Sequence, residues 1–229
     1  MNRKNVIWQF PLVVMGVAII LTGGCKKDTN TPSAVTDFDG NIYHTITLGT
    51  QVWMVENLKV THYRNGDIIP NVTDNAVWSN LLTGAYSDYN NITDSSKTYG
   101  RLYNFYSIVD SRNIAPTGWH IPTDAEWITL INYLGSDSVA GGKMKETGTK
   151  HWQSPNEGAT NECGFTGLPT GYRGTNGPFG QIGYFGYYWS SSEYDSGSAL
   201  YRFISFDSKD MASGRVPKNV GSAVRCLKD

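Results

Sequence analysis

Twelve consecutive apolar residues at positions 10–21 (FPLVVMGVAIIL), behind Arg3 and Lys4 and just ahead of Cys25, decide how much of this chain can enter a globular fold. The run is short for a bilayer span of about 20 residues and has the length of a secretory h-region. Residues 1–24 are therefore expected to be removed on export. What remains is 205 of the 229 residues, with 17 basic and 20 acidic side chains and a net charge of -3. The 14 Tyr, 8 Phe and 7 Trp supply a sizeable core for one domain, which excludes global disorder. A mildly acidic chain offers no electrostatic footprint for nucleic acid.

The four residues before Cys25, Leu21-Thr22-Gly23-Gly24, resemble a bacterial lipobox, with Leu21 one place further back than in the common pattern. The resemblance implies acylation of Cys25 and a partner in the membrane, since each buried methylene contributes about 0.8 kcal/mol. Residues 25–36, polar and Pro-containing, read as a lipidated, extended tether that holds the folded part away from the bilayer.

Beyond the tether the pattern is α+β. Residues 42–48 alternate Ile42, His44, Ile46 and Leu48 with Tyr43, Thr45 and Thr47, the period of a half-buried strand, after an Asp39-Gly40 turn. Residues 62–98 are polar and read as a long loop anchored by Trp78, Leu81 and Leu82. Two helices are expected. Leu102, Phe105, Tyr106 and Val109 have helical spacing within residues 99–110. The sharper signal is Thr123-Asp124-Ala125-Glu126, a capping box, followed by the apolar face Trp127, Leu130, Ile131 and Leu134 and by Gly135 as the stop. From Gly164 the chain is Gly-rich with short β runs.

Several segments in fixed order, TQVWMVENL (50–58), YGRLYNFYSIV (99–109), GWHIPTDAEWITL (118–130), GLPTGYRG (167–174), YYWSSSE (187–193) and SAVRC (222–226), resemble the Fibrobacter succinogenes major paralogous domain. The resemblance covers residues 37–229 and implies an extracytoplasmic domain of lipoproteins in Bacteroidota and Fibrobacterota, hence the cell envelope and its outer membrane. Residues 118–127 are also similar to an element of the formylglycine-generating family. That likeness implies a C-type-lectin-like architecture, with two helices, small antiparallel sheets and long Gly-rich loops. In it Trp119 and Trp127 would pack together where the helix begins, and His120 would be a packing residue.

The chemistry of that second family needs neighbouring cysteines that bind copper. Here Cys163 and Cys226 stand 63 positions apart, and in an oxidising compartment they read as a disulfide, with two buried thiols or a metal or redox role as the alternatives. Such a bridge would restrict the unfolded chain by about 4 kcal/mol. The histidines at 44, 62, 120 and 151 lack metal-site spacing, and Ser190-Ser191-Ser192 reads as strand hydroxyls rather than a nucleophile. No catalytic residue, metal or cofactor is expected.

A binding role has better support in the composition. Aromatic faces pack on the apolar faces of pyranose rings while polar groups order the hydroxyls. Tyr172, Arg173, Tyr184, Trp189 and Glu193 are the candidate ligand residues, and Glu193, Asp195, Asp207 and Asp210 are acids that could form an oxygen-ligand site. The expected function is a membrane-anchored envelope lipoprotein displaying a domain that binds a glycan or an envelope protein. A structural component without a small-molecule site and a divergent enzyme on the formylglycine-generating fold are the alternatives. Replacing Cys25→Ala should abolish incorporation of labelled fatty acid into the protein, and undiminished labelling would refute the anchor.

Overall fold

The computed structural model describes residues 34–229, so the expected export segment, Cys25 and the expected tether up to residue 33 lie outside the described residues. Residues 34–36, expected to close the tether, instead form β1 (Ala34–Thr36), antiparallel to β2 (Ile42–Leu48). Asp37 makes the turn between them. Its carboxylate accepts the amides of Asp39 and Asn41 at 2.9 Å and the Tyr43 hydroxyl at 2.6 Å. β2 pairs with β3 (Gln51–Met54) and meets apolar packing on both faces. Tyr43 enters one core cluster and Leu48 another, while Ile42 is 58% exposed.

Residues 62–98 hold short elements: α1 (Asn75–Ser79), β4 (Tyr86–Ser87) and α2 (Ser95–Tyr99). Trp78 is their buried anchor, whereas Leu82 is 78% exposed. The helix expected over 99–110 is reduced to the single turn α3 (Phe105–Ile108), preceded by β5 (Leu102–Tyr103), which pairs with β4. Asn104 is the reason. Its side chain caps the turn at the Ser107 amide and also bonds the Ala85 amide and the Thr83 carbonyl, holding the chain extended up to residue 104.

After β6 (Trp119–His120) comes α4 (Asp124–Leu134), the helix the sequence marks most clearly. The capping box is formed, with the Glu126 amide on Thr123 Oγ1 at 3.3 Å and the Thr123 amide on Glu126 Oε2 at 2.8 Å. Trp127, Leu130, Ile131 and Leu134 are buried. Trp119 and Trp127 do not pack together, because they belong to different core clusters. Trp127 lies instead against Trp53, with ring centroids 4.7 Å apart. A further helix, α5 (Asp137–Met144), follows directly.

The remaining strands are β7 (Thr170–Arg173), β8 (Phe179–Ile182), β9 (Phe185–Glu193), β10 (Ser198–Ser205), β11 (Ala212–Pro217) and β12 (Leu227–Lys228). They complete two five-stranded sheets, β1-β2-β3-β12-β6 and β11-β10-β9-β7-β8, beside the β4-β5 pair. This arrangement corrects the α+β, C-type-lectin-like expectation. Regular structure among the described residues is mostly β, and three of the five α-helices are of four or five residues. The β runs expected near 187–190 and 199–206 lie in β9 and β10, and β7, β8 and β11 form where the resemblance implied long Gly-rich loops.

The two clusters lie to either side of the final segment. Trp53, Trp127, Phe165, Tyr188, Ile204 and Leu227 meet in one; Tyr43, Met54, Tyr103, Phe105, Trp189, Val224 and Cys226 meet in the other. Successive side chains of an extended segment point to opposite sides. Leu227 therefore joins the cluster of Cys163, and Cys226 joins the other. The disulfide expected between Cys163 and Cys226 is not formed. Cys163 Sγ donates to the Lys143 carbonyl at 3.1 Å, and burial pushes the Cys226 thiol pKa up.

Arg225 lies between the clusters, fully buried. Its guanidinium donates to Asn57 Oδ1 at 2.9 Å and to the carbonyls of Met54 and Phe165 at 3.1 and 2.7 Å, over the Phe165 ring. Replacing Arg225→Met should lower unfolding stability by more than about 3 kcal/mol, because three acceptors lose their donor; an unchanged urea midpoint would contradict this. A second expectation concerns the cap. Burial raises the Glu126 carboxyl pKa, but bonds from the Thr123 amide and hydroxyl and from His120 outweigh it and hold the group below its usual value. The stability it contributes is present above the unfolded pKa of about 4.3 and lost as pH falls through the lower folded value. Glu126→Gln should therefore cost about 1 kcal/mol at pH 7, with the gap to the parent narrowing in acid below the folded pKa. A gap of the same size at the acid end of a urea–pH series would contradict it.

Candidate functional site

The strands of the second sheet expose one face on which aromatic residues recur every second position. On β9 these are Phe185, Tyr187 and Trp189; on β10 they are Tyr201 and Phe203. The register sets Tyr187 opposite Phe203 and Tyr201 opposite Trp189. Ring centroids of neighbours are 5.5 Å apart for Phe185 and Tyr187, 5.6 Å for Tyr201 and Phe203, and 5.7 Å for Tyr187 and Tyr201. Tyr172 on β7 meets Tyr187 at 5.5 Å with its ring plane at 87°. This contact depends on the course of β7, where Gly171 takes φ +62° and a Cβ would stand 2.5 Å from the Gly180 carbonyl oxygen.

The two ends of this face differ. At one end Trp189 is fully buried, its indole N–H donating to the Tyr103 carbonyl at 2.7 Å and its ring 5.4 Å from Phe105 of α3. At the other end Phe185 and Phe203 are half-buried. Between them lies a cavity of about 390 Å³ lined by Tyr172, Gly174, Thr175, Tyr187, Tyr201, Val216, Val220 and Ser222. Among the described residues, no ionisable acid or base other than the phenols lines it. Among the described residues no hydrogen bond engages the hydroxyls of Tyr172, Tyr187 or Tyr201. Burial, and then the fields of Tyr201 and Tyr172, push the Tyr187 pKa upward, and burial does the same to Tyr201. Both phenols remain protonated donors at neutral pH.

Of the five candidate ligand residues, only Tyr172 reaches this cavity. Arg173 points the other way and is buried. Its guanidinium binds the carbonyls of Val72, Thr73 and Gly177 and Asn75 Oδ1, between the rings of Trp78 and Phe179. Desolvation lowers its pKa to about 10. Trp189 is core, as described. Tyr184, 43% exposed, lies edge-on to Phe206, away from the cavity. Glu193 ends β9 and pairs with Lys218 at 2.9 Å. The sequence reading missed Phe185, Tyr187, Tyr201 and Phe203 as a set, although their alternation is written in the chain.

The other polar candidates are dispersed. Glu193 and Asp195 precede β10 while Asp207 and Asp210 follow it, so the strand holds the two pairs apart. Among the described residues no three His, Cys, Asp or Glu side chains gather as metal ligands would. Each histidine stands on a carboxylate: His44 on Glu56, His62 on Asp39, His151 on Glu146, and His120 on both Glu126 and Asp229. His120 thus ties the α4 cap to the last residue rather than filling space. Ser190 is buried, and Ser192 Oγ accepts the Asp124 amide at 3.0 Å, both within β9.

A family model, the Fibrobacter succinogenes major domain, matches residues 46–228. The chain belongs to this family. No curated protein and no solved structure matches the chain. The Fibrobacter succinogenes major domain thus takes in both sheets from within β2 onward, together with every residue that lines the cavity. It leaves β1, the turn at Asp37 and the start of β2 outside the match.

Proposed function

We propose that this protein is an exported, lipid-anchored module of the cell envelope that binds neutral glycans, without catalysis, on the aromatic face of β7, β9 and β10. The observation that carries the reading is the cavity walled by Tyr172, Tyr187 and Tyr201. Two of its walls stand at 87° to each other, so one ring can offer its face and the other its edge to the C–H groups of a pyranose. Three phenol hydroxyls without hydrogen-bond partners among the described residues are available to a ligand's own hydroxyls, each able to donate and accept. The absence of carboxylate and ammonium groups from the lining favours an uncharged ligand, because a charged one would be desolvated there without a counter-charge. A concave, mostly apolar surface with a few convergent polar groups is what a small-ligand site requires.

The anchor and the envelope location rest on the segment before Cys25 and on the tether after it. The experiment is an array of neutral and anionic polysaccharides probed with the full-length protein and with Tyr172→Ala. Binding confined to neutral glycans, weakened at least tenfold by the substitution, is expected. Binding to anionic glycans alone, or to a protein ligand with no glycan bound, would overturn the reading.

A further inference from the structure

The aromatic face is longer than the cavity. Phe185 and Phe203 do not line it, yet they continue both rows of rings outward along β9 and β10. The step from Tyr187 to Phe185 is 5.5 Å and that from Tyr201 to Phe203 is 5.6 Å. Each step is close to the length of one pyranose unit in an extended chain. The two outer rings are 6.2 Å apart, near enough to contact one sugar together. In the opposite direction the rows stop: Trp189 is buried under Phe105, and Val220 and Ser222 close the cavity on that side.

We infer that this face holds two adjoining sugar subsites, an inner one in the cavity at Tyr172, Tyr187 and Tyr201 for the terminal sugar and an outer one at Phe185 and Phe203 for the sugar next to it. The inference rests on the glycan reading above and adds chain length and polarity to it. A ligand would place one chain end against the Trp189 wall and leave over the phenylalanines. Beyond these rings the described residues add no further aromatic contact to the rows, so sugars past the second gain little.

The test is calorimetric titration of the full-length protein with the series glucose to cellotetraose, xylose to xylotetraose and mannose to mannotetraose. In the series that binds, affinity should rise about tenfold from monosaccharide to disaccharide and then level off. Phe203→Ala should remove that gain while the monosaccharide still binds. Because the variant loses packing as well, the unsubstituted protein gives an independent reading. In its NMR spectrum the disaccharide should shift Phe185 and Phe203 ring resonances, and the monosaccharide should shift only those of the tyrosines. Equal affinity for one and two units, or affinity climbing steadily to four, would overturn the two-subsite arrangement and leave glycan binding standing. No binding in any series would remove the glycan reading itself.

Discussion

Residues 220–227 form a buried thread, and its backbone is the constraint on which the rest of the molecule depends. Every peptide group taken out of water needs a partner, and this segment finds its partners in different sheets. Gly221 exchanges hydrogen bonds with Arg173 of β7, Ser222 with Tyr103 of β5, and Ala223 accepts from Trp189 and donates to Tyr187 of β9. Val224 and Cys226 accept from Leu58 and Met54, and Leu227 pairs with Trp53 and His120. This short segment thus joins all three sheets. In the middle of the thread sits Arg225, whose guanidinium is fixed by one amide oxygen and two carbonyls.

The same solution recurs at Lys145 and Arg173, whereas the buried Arg202 and Lys218 pair with the carboxylates of Asp124 and Glu193. Lys145 Nζ donates to the carbonyls of Glu157, Ser205 and Ser208 at 2.8, 2.8 and 2.7 Å, and desolvation lowers its pKa to about 8. Arg64, although exposed, likewise holds the carbonyls of Ala115, Pro116 and Trp119. Arg173 holds those of Val72, Thr73 and Gly177. A carboxylate partner would neutralise the charge but order only its own side chain. Carbonyl partners give less Coulomb energy but fix stretches of backbone that have no helix or sheet to satisfy them. That is how residues 62–98, polar and poor in regular structure, are held in place around Trp78.

What could be read from the sequence follows from whether the signal was local. The α4 helix was legible from Thr123, Glu126 and four apolar positions, because a cap and a 3.6-residue period involve only near neighbours. The strand at 42–48 was legible as a strand, but its buried face was not, since Tyr43 and Leu48 face different clusters. The helix expected at 99–110 failed because Asn104 bonds to residues about twenty positions earlier. α5 was invisible because it contains Gly141-Gly142, which disfavours a helix locally. The structure needs those glycines: a Cβ on Gly141 would stand 2.0 Å from the Asp210 carbonyl oxygen. The cysteine pairing failed for a similar reason, since the side of the thread on which Cys226 emerges is set by strands far from it in sequence. The site was half legible. Aromatic composition pointed to the right stretch, but composition cannot separate a ring that ends in the core from one that ends in the cavity.

That separation has a physical origin in the strand itself. Trp189, Tyr187 and Phe185 occupy one side of β9 at a spacing of two residues and differ only in what covers them. α3 seals the first, the cavity borders the second, and half-buried neighbours flank the third. Each half-buried ring of the β9 and β10 rows is packed against two or more others, so its rotamer is restricted by neighbours rather than by a lid. A ligand arriving on this face has little side-chain freedom left to remove, and ordering of side chains is a principal cost of association, about 0.5–1.5 kcal/mol for each one immobilised. On the proposed reading, the tyrosine and phenylalanine rows serve folding and glycan binding through the same contacts. The packing that stabilises the outer face of the second sheet is also what preorganises it.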